Sequence, residues 1–411
     1  MILRTTEKLS RFMQALRYLR PGTGSLCRGL IGVAAAATLF GQTPVATITT
    51  LSEGYANGCA LGQGGVLYCA DGSGVFSLTP PASPGGPWTD NRLFTFNPPV
   101  DGGANAVVIG SGGVLYSNTT FGGPENIGIV FSLTPPASPG GSWTENVLYN
   151  SGIGGLVIGH GGVLYGVWPG LDGIEGLNGT VLSLTPPVSP GNLWTENVLY
   201  SFAGGSDGIG PSMLVMGAGD VLYGITTYGG SNSLGTVFSV TPPESAGGAW
   251  TEKVIYAMPA SSHNDGNPTG IALGSGGVIF GVTATGGAAN YGTAFSLAPP
   301  ATPGDPWTPS VIHEFPSGTG EDVYSPDDVM VAPNGMLIGA AASGGAGAGG
   351  VFLLTPPASP GGAWSEVAAH FPHNGSEGRI PSFAVLGRDV IYGSTVSGGS
   401  TDGGTVFSLV P

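Results

Sequence analysis

Few residues in this sequence have the type and spacing that chemistry needs. Residues 204–208, GGSDG, satisfy G-x-S-x-G with Ser206 in the nucleophile place. That motif works on a sharp turn from strand to helix, and no helical periodicity surrounds it here. With 77 Gly in 411 residues chance matches are expected, and GAGAGG at 345–350 is another. It lacks the βαβ surroundings that a dinucleotide site requires. The five His show no H-E-x-x-H spacing, and His370 and His373 come nearest to a metal pair.

Loop carboxylates and aromatics offer more. Asp101, Asp207 and Asp265 each precede a Gly. Such pairs are turn formers first, the Asp hydrogen-bonding its own backbone. Ca²⁺ is the one ion they would suit, and no other cofactor is implied. The stretch WPGLDGIEGLN (168–178) brings together Trp168, Asp172 and Glu175. An indole can stack on a sugar ring while carboxylates hold hydroxyls or Ca²⁺. This long loop and the short NSGIGG (150–155) are expected to flank a notch, which makes the three residues ligand candidates.

What positions these loops is a repeat. The string V/A-F/L-S/L-L/V begins at residues 75, 130, 181, 237, 294, 351 and 406. Between copies the order is constant: GTVFSVTPP (235–243), WTEKVIYAM (250–258), a polar loop, TGIALG (269–274), a Gly-Gly turn, then VIFGVT (278–283). These runs of four to six β-branched and aromatic residues have strand composition and length. The Pro-Pro after each copy blocks further pairing. Four strands per unit, seven times over, predict an all-β, seven-bladed β-propeller of four-stranded blades across residues 45–411. From the axis outward the strands are A (x-L-V-x-G), B (GVLYG), C (TVFSL) and D (WTENVLY). Six D strands begin with Trp: Trp88, Trp143, Trp194, Trp250, Trp307 and Trp364. Repeated in register, these Trp are expected to pack between blades or against the TPP loop of their own blade. The seventh D strand is missing, so VATITTL (45–51) is expected to join the last blade beside 405–410 and close the ring.

Charge separates an N-terminal stretch from this body. Residues 1–41 hold six of the ten basic residues, and LIGVAAAATLFG (30–41) follows them. Basic residues ahead of a short apolar core read as a signal peptide or export segment over 1–44. The rest has 4 basic and 24 acidic residues, a net charge of −20. Such a body repels nucleic acid and anionic membrane surfaces. Cys59 and Cys69 flank LGQGG and face each other if that turn closes a hairpin, which suits a disulfide in an oxidising compartment; two free thiols are the alternative.

The recurring GTVFSLTPPASPGG, WTENVLYSF and GVLYG segments resemble the GloVer tandem repeat of "choice-of-anchor" bacterial surface proteins, over essentially residues 45–411. The resemblance implies an exported, extracytoplasmic protein and no particular activity. No sorting tail follows Pro411, which favours a secreted or periplasmic form over the cell surface. The leading expectation is therefore a non-enzymatic, monomeric propeller binding a glycan, cation or protein. A propeller glycoside hydrolase or lyase is the alternative, and a structural envelope or adhesion repeat a third.

Overall fold

A computed structural model describes residues 47–410, apart from 84, 98–102, 139, 171–176, 189–193, 246, 261–265, 303, 317–321, 345–346, 360, 372–374, 376–377 and 388–389. The export segment expected at 1–44 lies outside the described residues. Seven antiparallel sheets follow one another along the chain. Blade 4 is typical: strand A is Ile209–Met216, B is Leu222–Tyr228, C is Thr236–Thr241 and D is Thr251–Ala257. Each inner strand touches the next blade, and the circle closes where Arg379–Leu386 of blade 7 meets Gly58–Leu61 of blade 1.

The ring is shut by the N-terminal strand. Thr47–Glu53 runs antiparallel to Thr405–Val410, from Thr47 opposite Val410 to Glu53 opposite Thr405. The described strand runs on to Glu53, two residues beyond the end expected from the sequence. Its polar end is used: Ser52 Oγ donates to Asp90 of blade 1 at 2.9 Å, and Glu53 accepts from the Ser400 N–H at 2.9 Å.

Seven hydrophobic clusters fill the seven seams between blades. At six seams the clasp is the same. The D-strand Trp of one blade meets, edge-on, the B-strand aromatic of the blade before it, with centroids 5.7–6.1 Å apart. Such a pair adds about 0.5–1.5 kcal/mol beyond the burial of its rings. The Gly ending each A strand makes room for the ring; a Cβ on Gly274 would sit 2.6 Å from the Phe280 ring.

The seventh seam, between blades 6 and 7, changes all three parts together. Ala332 replaces the Gly and Ile338 the aromatic, while in sequence the residue ahead of Thr47 is Ala and not Trp. Ile338 is buried in the cluster that includes Phe371 and Phe407, with Ile48, Met330 and Leu386 packed against it. A blade without a Trp to receive has no use for a ring or for a glycine beneath it.

Cys59 and Cys69 stand directly opposite each other in strands A and B of blade 1. Their Cα atoms are 4.1 Å apart and their sulfurs are bonded.

Candidate functional site

Of the residues singled out in the third-blade loop, Asp172 and Glu175 lie outside the described residues. Trp168 ends strand B of blade 3, opposite Thr180. Its half-buried indole packs with the cluster around Val130, Leu164 and Leu182. Asp101 and Asp265 are likewise outside the described residues. Asp207 is described, and its carboxylate accepts the Tyr200 hydroxyl at 2.9 Å and the Ala203 N–H at 2.6 Å, closing its own turn. Among the described residues no three His, Cys, Asp or Glu side chains converge as a metal would need.

A different place gathers recognition chemistry: the axis. The inner strands leave a cavity of about 390 Å³ lined from blades 2 to 6. Asn105, Asn118 and Asp328 supply polar atoms, while Leu156, Met213, Leu214, Val215 and Ile271 supply apolar wall. Small residues and polar cross-links between A strands shape it. A Cβ on Gly58 would fall 2.6 Å from Ala106 Cβ, so the strands touch there. Thr269 Oγ1 donates to the Pro326 carbonyl at 2.6 Å, and Asn57 Nδ2 donates to that of Ala104. Ser394 Oγ donates to the Ala56 carbonyl at 2.6 Å, tying blade 7 to blade 1. A cavity mixing a few placed polar groups with apolar wall is the usual form of a small-molecule site.

Sequence reasoning passed over these residues because strand A is the least regular part of the repeat. One signal was available. At the first position of the A-strand motif x-L-V-x-G the seven blades carry Gly58, Ala106, Gly155, Met213, Gly270, Asp328 and Phe383. Asp328 is the one charge in that series.

A second cluster bridges blades 3 and 4 at their outer strands. Ser52, Tyr149, Tyr200 and His313 share one register position, facing the next blade. Each meets an acid there: Asp90, Glu196, Glu252 and Glu366 respectively, with His313 Nε2 3.0 Å from Glu366. Among the described residues the Tyr200 seam alone adds a second acid, Asp207 from the turn, so two carboxyls lie side by side. Glu252 Oε1 is buried with no hydrogen-bond partner. Burial, then the Asp207 charge, push the Glu252 carboxyl up to about 7. The same acids, after burial, hold the Tyr200 phenol protonated far above its usual range.

The raised pKa has a sign. Unfolded, Glu252 releases its proton near 4.5; folded, it keeps it to about 7. Stability therefore falls as pH rises from about 4.5 to about 7 and then levels, by about 1–2 kcal/mol after allowing for the half-exposed site. Glu252→Gln should flatten this slope and raise the thermal midpoint at pH 8. Midpoints of wild type and variant from pH 4.5 to 8 check it; parallel profiles would count against the pairing.

Seven four-stranded blades joined edge to edge around an axis define a seven-bladed β-propeller. The chain belongs to the Gloeobacter/Verrucomicrobia repeat family, whose pattern it matches over residues 103–352, more than half its length. No curated protein sequence matches it. Solved structures share the fold at low identity. The extracellular domain of a one component system from B. thetaiotaomicron is 11% identical, with a TM-score of 0.55 over 90% of this chain and 40% of that one. PorZ, a surface component of the type-IX secretion system of Porphyromonas gingivalis, is 14% identical, with a TM-score of 0.54 over 87% and 46%. A gluconolactonase from Xanthomonas campestris is 11% identical, with a TM-score of 0.45 over 91% and 92%. At such identities the likeness concerns the fold alone.

Proposed function

We propose that this protein is an exported, non-enzymatic binding propeller that takes a small hydroxylated ligand, a sugar of one or two rings, on its axis. The observation that carries the reading is the axial cavity of about 390 Å³, lined by Asn105 and Asn118 together with the apolar Leu156 and Met213. A sugar offers the matching pair of surfaces, hydroxyls at its edge and C–H groups on its faces. A glycoside hydrolase sets two carboxyls about 5–9.5 Å apart across the sugar. Among the described residues one carboxylate, Asp328, lines this cavity, which favours binding over hydrolysis. Export is supported by the basic and apolar residues of 1–41 and by the Cys59–Cys69 bridge, a bond that persists in oxidising compartments.

The test is a thermal-shift screen of the full chain against neutral mono- and disaccharides, repeated on Met213→Trp, whose ring would fill the cavity. At least one sugar should raise the wild-type midpoint by a few degrees and leave the variant's cooperative melt unmoved. A sugar that shifts both equally would place binding elsewhere. Released reducing sugar after incubation with a disaccharide would instead make the protein an enzyme.

A further inference from the structure

Asp328 departs from the repeat in more than its side chain. In blade 6 the inner strand is broken: Val323–Pro326 and Met330–Val331 both pair with Leu337–Gly344, and between them the ladder lapses, although the Asp327 N–H still donates to the Ala340 carbonyl at 3.0 Å. Asp328 sits in that break. Its Oδ1 accepts the Val329 N–H at 2.8 Å, which holds the carboxylate in one orientation. Its backbone is wedged between two glycines. A Cβ on Gly270 of blade 5 would lie 3.1 Å from the Asp328 Cα, and one on Gly339 would lie against the Asp328 carbonyl oxygen. No larger residue fits at either place without moving Asp328.

The surroundings decide what this carboxylate attracts. No Lys, Arg or His lines the cavity among the described residues, and the rest of the lining is amide, backbone and hydrocarbon. The propeller carries 24 acids against 4 bases. A cavity of low-dielectric walls in a body of one sign focuses the field and concentrates ions of the other sign. Anions are turned away, neutral molecules enter unaided, and cations are drawn in. A charged hydrogen bond from an ammonium group to Asp328 is also stronger than a neutral one.

We infer that the axial cavity selects a small ligand bearing a protonated amine, an amino sugar in preference to its neutral or N-acylated counterpart, with Asp328 as the group that reads the amine. This rests on the axial cavity being the binding site. Met213 and Ile271 then take the C–H face of the ring.

The experiment is calorimetric titration of the full chain with glucosamine, glucose and N-acetylglucosamine, in low salt and with added salt. Glucosamine should bind about tenfold more tightly than glucose or N-acetylglucosamine, and added salt should reduce that margin. Asp328→Asn should remove the preference, bringing the variant's affinity for glucosamine to within about twofold of its affinity for glucose. The three sugars are compared on the unaltered protein, so the answer stands even where the variant fails to fold. Equal binding of all three overturns the amine selection and leaves the cavity reading intact. Binding of none overturns the selection, and the cavity reading falls with it for hexoses.

Discussion

A chain lacking residues 47–53 should lose its cooperative melt at ordinary temperatures and associate in solution. The strand forms the outer edge of blade 7, pairing with Thr405–Val410 along its length. It also feeds two seams: Ile48 packs against the cluster of Ile338 and Phe407, and Leu51 against that of Phe76 and Val406. Burying two such side chains contributes about 1.5–3 kcal/mol each, before any ladder hydrogen bond is counted. The sum is about 5 kcal/mol or more, a large share of a domain's stability. The uncovered edge of strand C would then be free to pair with other chains. Size-exclusion chromatography and thermal melts check this. An unchanged elution volume and midpoint would mean that the ring does not depend on its closing strand.

The second large effect concerns the seam clasp. Trp364→Ala should cost about 2–3 kcal/mol, below the full range for a buried aromatic, because the half-buried indole packs on Phe280 and on the core around Phe352. The seam between blades 6 and 7 suggests a sharper form of the experiment. Gly274→Ala alone places a methyl 2.6 Å from the Phe280 ring and should destabilise. Once Phe280→Ile and Trp364→Ala are also present, as at the natural Ala332–Ile338 seam, the same methyl should cost little. Urea denaturation of the single, double and triple variants measures that coupling. Costs that simply add, within about 0.5 kcal/mol, would show that ring and glycine are independent.

The architecture was readable because its evidence is repeated. Seven copies of one four-strand order, with six Trp for seven outer strands, leave a vacancy that only the segment before blade 1 can fill. The boundary was harder. Ser52 and Glu53 look like loop residues, yet they extend the strand because Asp90 across the seam and the Ser400 N–H in the same blade receive them. The role of the Trp residues as packing between blades was also readable, though not their partners, which lie a full blade away. The candidate site was mostly hidden. Attention fell on Trp168 because it stands outside the repeat register; its indole packs at the seam of blades 2 and 3, with Val130 and Leu182 in the same cluster. Asp207 looked like a turn former, and it is one. Its neighbour Glu252 belongs to the next blade's outer strand and could be found only in three dimensions. The cavity residues come from five inner strands whose sequences agree least, so no local pattern marks them. Asp328 alone was visible in principle, as a charge where the other blades carry Gly, Ala, Met or Phe.

Hydrogen exchange of the full chain, with and without a saturating concentration of whichever sugar it binds, tests most directly whether function resides on the axis. Inner-strand peptides from different blades, those covering residues 104–108, 154–156, 213–215 and 326–330, should all gain protection together. Protection confined to the third-blade loop at 168–178, with the inner strands unchanged, would contradict the axial site.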